Sequence, residues 1–142
     1  MLHELSPEVT NHLLSNQFLG RLSCAADGQV LVLPTAYLYD GRAIYGQTLA
    51  GSKTRLLRKN PAVRFEVDEV YSPSCWRSVV VQGVYEELQG DERLYAEQRL
   101  GPGRVARTNA FVATDTVAVV PAPTVVYRIR ILSKTGHIET AK

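Results

Sequence analysis

Ser52, Lys53, Arg55, Arg58 and Lys59 fall within eight consecutive residues, with no acid among them. A hydroxyl and several cations at such spacing suit one task, holding an anion such as a phosphate. The flanks read as a strand (Ile44-Tyr45-Gly46-Gln47-Thr48), a small-residue loop (Ala50-Gly51), a helix start and an Asn60-Pro61 stop. Ser52 is the expected N-cap, because its hydroxyl can accept a hydrogen bond from an orphan helix N–H. Cations at a helix start oppose the macrodipole, which favours carboxylates there. A bound phosphate would resolve that conflict. A solvated basic helix face is the other reading of the same residues.

Elsewhere the chemistry is sparse. His3, His12 and His137 have no triad partners in view, and no Gly-x-Ser-x-Gly elbow occurs. Cys24 and Cys75 are far apart and form no Cys-x-x-Cys pair, so they read as structural thiols. The carboxylates are scattered, which argues against a metal centre. Gly101-x-Gly103-x-x-Ala106 mimics a dinucleotide fingerprint but follows a helix instead of a strand. Tyr37, Tyr39 and Tyr45 bracket one hairpin, either as core or interface aromatics or beside a bound ring. No residue is poised as a general acid or base, so the catalytic residues are unassigned.

The elements that must position the basic stretch are mostly strands. The chain has 142 residues and a hydrophobic fraction of 45%, enough for one domain with a real core. No run approaches a membrane span. The N-terminus lacks the basic and apolar regions of a signal peptide, so a cytoplasmic protein is expected. Net charge is only +2, and four of the positive charges lie in the basic stretch. Basicity is therefore local, which disfavours nucleic acid as a partner.

Ser6-Pro7-Glu8 opens a helix running to about Gln17. Strands are expected over Phe18 to Ala25, Gln29 to Tyr39 and Ala43 to Thr48, joined at Asp27-Gly28 and Asp40-Gly41. Pro34 within the second implies an edge, a bulge or a gap in the ladder. Ala62 to Val70 alternates, with Val63, Phe65 and Val67 on one face. Tyr71 to Cys75 reads as a loop, and Trp76 to Leu88 as a Val-rich strand bent at Gly83. A helix over Asp91 to Leu100 should face Leu94 and Tyr95 inward. Strands over Val117 to Val120 and Val125 to Leu132 complete the sheet, and Lys134 to Lys142 reads as a weakly ordered end. The fold class is mainly β, an antiparallel Greek-key barrel with small helices, in a single domain over residues 1–142.

Several segments occur in a telling order: Leu33-Pro34-Thr35-Ala36-Tyr37; Gly46-Gln47-Thr48 with Gly51-Ser52-Lys53; Arg58-Lys59-Asn60-Pro61-Ala62-Val63; and Trp76-Arg77-Ser78-Val79. Over about residues 17–90 this order resembles the pyridoxamine 5′-phosphate oxidase-related, FMN-binding split-barrel family. Within it, the chain is most similar to short flavin-binding proteins that include nitroimidazole-resistance reductases. The resemblance implies a homodimer with FMN at each subunit-interface site. Ser52 and Lys53 would take the flavin phosphate, with Arg58 as helper. Leu33 to Tyr37 would line the ring system and offer backbone groups to its polar edge. Gln47 and Thr48 would flank it, and Trp76 and Ser78 would approach from a neighbouring strand or the other subunit. Two departures stand out. Gln47 replaces a His of many family members, and the Arg- and Pro-rich C-terminal signature of true vitamin B6 oxidases is missing.

A flavoenzyme acting on a small organic substrate is the first expectation, with the cofactor carrying the redox chemistry. With no base in view, simple hydride or electron transfer from a nicotinamide donor is favoured; Arg77, Arg104 or Arg107 are candidates to admit it. A non-enzymatic flavin carrier, a haem binder using His137, and a deazaflavin-dependent reductase stay open. An absorption spectrum separates them.

Overall fold

The computed structural model describes residues 1–101 and 123–140. Two short turns begin its sheet. β2 (Leu19–Ala26) and β3 (Gln29–Tyr39) are joined by Asp27 and Gly28, whose φ angles are 54° and 72°. Two left-handed central residues give the primed turn that matches strand twist. β4 (Ala43–Leu49) follows through Asp40, whose carboxylate accepts the N–H groups of Arg42 at 2.8 Å and Ala43 at 2.9 Å. α2 (Ser52–Lys59) then carries the chain across, and β5 (Ala62–Ser72) returns to pair with β2. That return beside the first strand of a meander is the Greek key.

β6 (Cys75–Glu87) pairs with β5, and β7 (Thr124–Glu139) pairs with both β6 and β4. Strand order is β7-β4-β3-β2-β5-β6, and the β6–β7 ladder closes it into a barrel. β1 (Leu2–Glu4) adds to the far end of β7, and α1 (Pro7–Asn16) follows it. The Ser6 hydroxyl caps α1 by accepting the Val9 N–H, as Ser-Pro-Glu implies. The antiparallel split barrel expected from the sequence is the fold observed.

Alternation fills the interior. Leu22, Tyr37, Ile44, Phe65, Val67, Val79, Val81, Tyr127 and Ile129 are buried together, with Leu13 and Leu14 of α1 closing one end. α3 (Gly90–Leu100) covers a second cluster built on Tyr45, Leu88, Ala96, Leu100 and Val126. At Gly83 the β6–β7 register shifts, and a Cβ there would meet the Arg130 carbonyl oxygen at 2.5 Å, so the bend is reserved for glycine.

Three expectations are corrected. Lys134 to Glu139 is strand, because β6 and β1 both offer it a ladder that its polar composition conceals. The inward residues of α3 are Ala96 and Leu100, whereas Leu94 and Tyr95 are 53% and 38% exposed. The loop over Tyr71 to Cys75 shrinks to a turn at Pro73 and Ser74. The expected strand at Val117 to Val120, Arg104, Arg107 and most of the glycine motif lie outside the described residues.

Candidate functional site

The site begins where β3 and β4 part. They pair only at Tyr37–Gly46, Leu38–Tyr45 and Tyr39–Ile44, while β3 stays paired with β2 back to Gln29. The Tyr37 N–H donates to the Phe18 carbonyl, and the Asp40 N–H to that of Ala43. Odd residues of β3 therefore bond toward β2, and even ones point toward β4. Beyond the fork, the main-chain groups of Val30, Val32 and Pro34 and the Ala36 N–H turn to an edge without a ladder partner among the described residues, the Ala36 carbonyl being the last β3 acceptor facing β4. From Ala36 to Val30 this edge runs roughly 20 Å at about 3.3 Å per residue. Pro34 has no N–H to lose, so an open edge is where a strand proline belongs.

Side chains divide by parity. Leu33, Thr35 and Tyr37 are buried in the barrel, while Pro34 and Ala36 are exposed outside it. Gln47, the first β4 residue past the fork, shares the outer face with Ala43 and Tyr45. Its amide oxygen and nitrogen are both buried with no hydrogen-bond partner among the described residues. An unmet amide normally costs about 1–3 kcal/mol, so this one marks the fork as a candidate binding site. Thr48 beside it is half-buried and pairs with Val125.

At the other end of the open edge stands α2. Ser52 is its first residue and Gly51 its N-cap, which corrects the assignment of Ser52 as cap. Thr54 does the capping instead, accepting the Gly51 N–H and donating to the Gly51 carbonyl, both at 2.9 Å. Ser52 itself is left exposed. A groove of about 510 Å³ lies between α2 and the start of β3, lined by Gln29, Val30, Leu31, Ser52, Lys53 and Arg55. Lys53 and Arg55 are exposed there, whereas Lys59 is paired with Asp27.

The structure thus gathers Leu33 to Tyr37, Gln47 and Thr48 at the fork, and Ser52 and Lys53 at the far end of the same edge. Arg58 is turned elsewhere, its guanidinium gripping Glu87 through Nε at 2.7 Å and Nη2 at 3.0 Å. Trp76 and Ser78 are not joined to the fork within one chain. Trp76 lies eleven residues along β6 from Glu87, which pairs with Tyr127, the partner of Gly46, or roughly 36 Å of extended strand. Ser78 pairs with His137, and both are half-buried in the β6–β7 ladder. Arg77 is tied to Glu69 and lies 5.9 Å over the Tyr71 ring, so its charge is already matched. Among the described residues no cluster of three metal-ligating side chains occurs. No helix there is long and apolar enough to cross a membrane.

Sequence reasoning missed a buried hydroxyl pair under the fork. The Tyr127 hydroxyl lies 3.0 Å from Thr35 Oγ1. Burial pushes the Tyr127 phenol up to about 12, so it stays protonated and can donate. Gly46, its register partner, carried the only local signal, since a Cβ there would meet the Tyr127 hydroxyl at 2.4 Å.

Residues 6–138 match the family model described as pyridoxamine 5′-phosphate oxidase. The chain belongs to that family. Among solved relatives, an FAD-binding protein from Mesorhizobium loti shares 30% identity, 99% of each chain is covered, and the TM-score is 0.80. A protein from Bacteroides thetaiotaomicron, proposed to act in 5-nitroimidazole antibiotic resistance, shares the fold at 15% identity. It covers 97% of this chain and 87% of its own, with a TM-score of 0.70. An uncharacterised protein from Rhizobium meliloti is 35% identical over 80 residues, which are 56% of this chain. The match spans about half the length of that relative, 53%. Family membership and the solved relatives agree with the antiparallel barrel observed.

Proposed function

We propose that this chain is an FMN-dependent oxidoreductase that acts as a homodimer on a small organic substrate. The observation that carries this reading is the fork, an open β3 edge with the Gln47 amide, unpartnered among the described residues, at one end and the exposed Ser52, Lys53 and Arg55 at the other. The spacing suits a long ligand with a polar ring at one end and a phosphate at the other. Bound there, a flavin would supply hydride or electron transfer.

The protein's own groups then have distinct tasks. Lys53, Ser52 and Arg55 would hold the phosphate. The N–H groups of Val30, Val32 and Ala36 and the carbonyls of Val30, Val32 and Pro34 would meet the ligand's polar edge, with the Gln47 amide offering both a donor and an acceptor. Thr48 would pack beside it. Arg58 would join only by releasing Glu87. Trp76 and Ser78 would serve the cleft of a second copy, since their own chain keeps them at the far end. Among the described residues no carboxylate or imidazole is placed to manage a substrate proton at the fork, which favours a reductase with a nicotinamide donor over a metabolite-specific oxidase.

The Mesorhizobium loti neighbour's name favours a second cofactor reading, FAD, and the groove along α2 continues past Lys53 to Arg55 and Gln29. Titrating apo-protein with riboflavin, FMN and FAD decides between them: FMN should bind tightest, and tighter FAD binding transfers the assignment. For the reaction, anaerobic mixing with NADH or NADPH should bleach the flavin band, and a nitroaromatic or quinone should restore it. Bleaching by dithionite alone would replace the reductase with a flavin carrier.

A further inference from the structure

Backbone pairing between β3 and β4 stops at Tyr37–Gly46, yet the two sides of the fork are not left loose. Tyr127 on β7 is the register partner of Gly46, and its ring passes over that glycine toward β3. There its hydroxyl meets Thr35, the next inward residue beyond the last β3–β4 pair, at 3.0 Å. The Thr35 hydroxyl donates in turn to the Ala36 carbonyl oxygen at 3.1 Å, so Tyr127 is the donor to Thr35. Ala36 is an even residue, and its carbonyl is the last β3 acceptor facing β4, where the ladder ends and the open edge begins. Tyr127 is fully buried, so water does not compete for this chain of hydroxyls.

We propose that the Tyr127 hydroxyl is the positioning group of the cleft. Reaching across Gly46 to Thr35 and on to the Ala36 carbonyl, it braces the last rung where the ladder ends and holds the open β3 edge at a set distance from β4. The inference rests on the cleft being the flavin site for its ligand readout, but not for its mechanical one. Tyr127 touches no ligand in this scheme and acts only through β3.

Tyr127→Phe removes one oxygen and keeps the ring, so the barrel should fold, as circular dichroism would check. In ligand-free protein, amide exchange at Thr35, Tyr37 and Leu38 should rise about 3- to 10-fold, the value of one net hydrogen bond, with strands β5 and β6 unchanged. Thr35→Val should reproduce the effect, Thr35→Ser should not, and the double variant should add nothing to either single one. FMN affinity should fall by a similar factor, with a change in the shape of the bound visible band. Exchange at the fork that rises no more than elsewhere in the barrel would overturn the proposal, as would equal FMN affinity and spectrum in the variant. Wild-type protein that binds no flavin would instead defeat the functional reading, and the exchange data would still decide the brace.

Discussion

Lys53 and Gly46 show how differently two residues can serve one cleft. Lys53 is exposed beside Ser52 at the head of α2, where the helix dipole disfavours a cation unless an anion is close. Lys53→Ala should therefore weaken FMN by about 1.5–3 kcal/mol, the range for a charged hydrogen bond, while riboflavin binding stays the same. Equal losses for both ligands in a fluorescence titration would remove Lys53 from the phosphate. Gly46 acts by absence. A Cβ there would lie 2.4 Å from the Tyr127 hydroxyl and 2.5 Å from Cζ. Gly46→Ala should cost about 1–3 kcal/mol by overpacking, read as a lower denaturant midpoint. Tyr127→Leu in the same chain should recover part of that loss, and no recovery would show that the clash is not with this ring. Lys53 stood out as a candidate from its neighbours in sequence, whereas the need for Gly46 exists only because β7 brings a tyrosine to it.

At the scale of elements, the β3–β4 hairpin is held by its turn more than by its ladder. Burial raises the Asp40 carboxyl, but the N–H groups of Ala43 and Arg42 and the hydroxyls of Tyr95 and Tyr45 outweigh it, and the result lies below the usual carboxylate value of 3.8. A depressed folded pKa contributes stability that is full above the unfolded value and lost as pH falls through the folded one. Asp40 should thus support the hairpin at neutral pH and release it below about pH 4, the unfolded value for aspartate. Asp40→Asn should flatten that part of the stability–pH curve in thermal melts between neutral pH and pH 3. An unchanged acid limb would count against it. β3 itself was readable, Pro34 included, as a strand with a gap. The partner missing from its edge was not, because strand order is a property of the closed sheet.

The whole molecule presents one more unmet surface. The outer row of β3 is Val30, Val32, Pro34 and Ala36, all exposed, with Val30 at 77% and Val32 at 56%. Beside it a groove of about 340 Å³ is lined by Ala25, Val30, Ala62 and Leu132 amid Ser23, Arg64 and Gln82. An apolar patch with a polar rim marks an interaction surface. The proposed occupant is a second copy, burying more than about 2,000 Å² in total. Sedimentation should find a dimer at micromolar concentration, and Val32→Lys should shift it to monomer and release flavin together. A flavin-bound wild-type monomer would break the proposal.

What sequence alone determined here is what short-range physics determines. Asp27-Gly28 and Asp40-Gly41 made the turns because few residues accept positive φ or cap a turn with a carboxylate. The alternation of Val63, Phe65 and Val67 selected the buried face of β5, and the acid-free run after Gly51 marked α2 as the basic helix. Tertiary structure decided whatever needed two distant segments in register. Arg58 was one cation among four until β6 brought Glu87 to it. Lys134 to Glu139 became strand only because β6 and β1 offered it ladders. The Tyr127–Thr35 bond joins residues far apart in the chain, and no local preference encodes a contact that exists only once the barrel has closed around it.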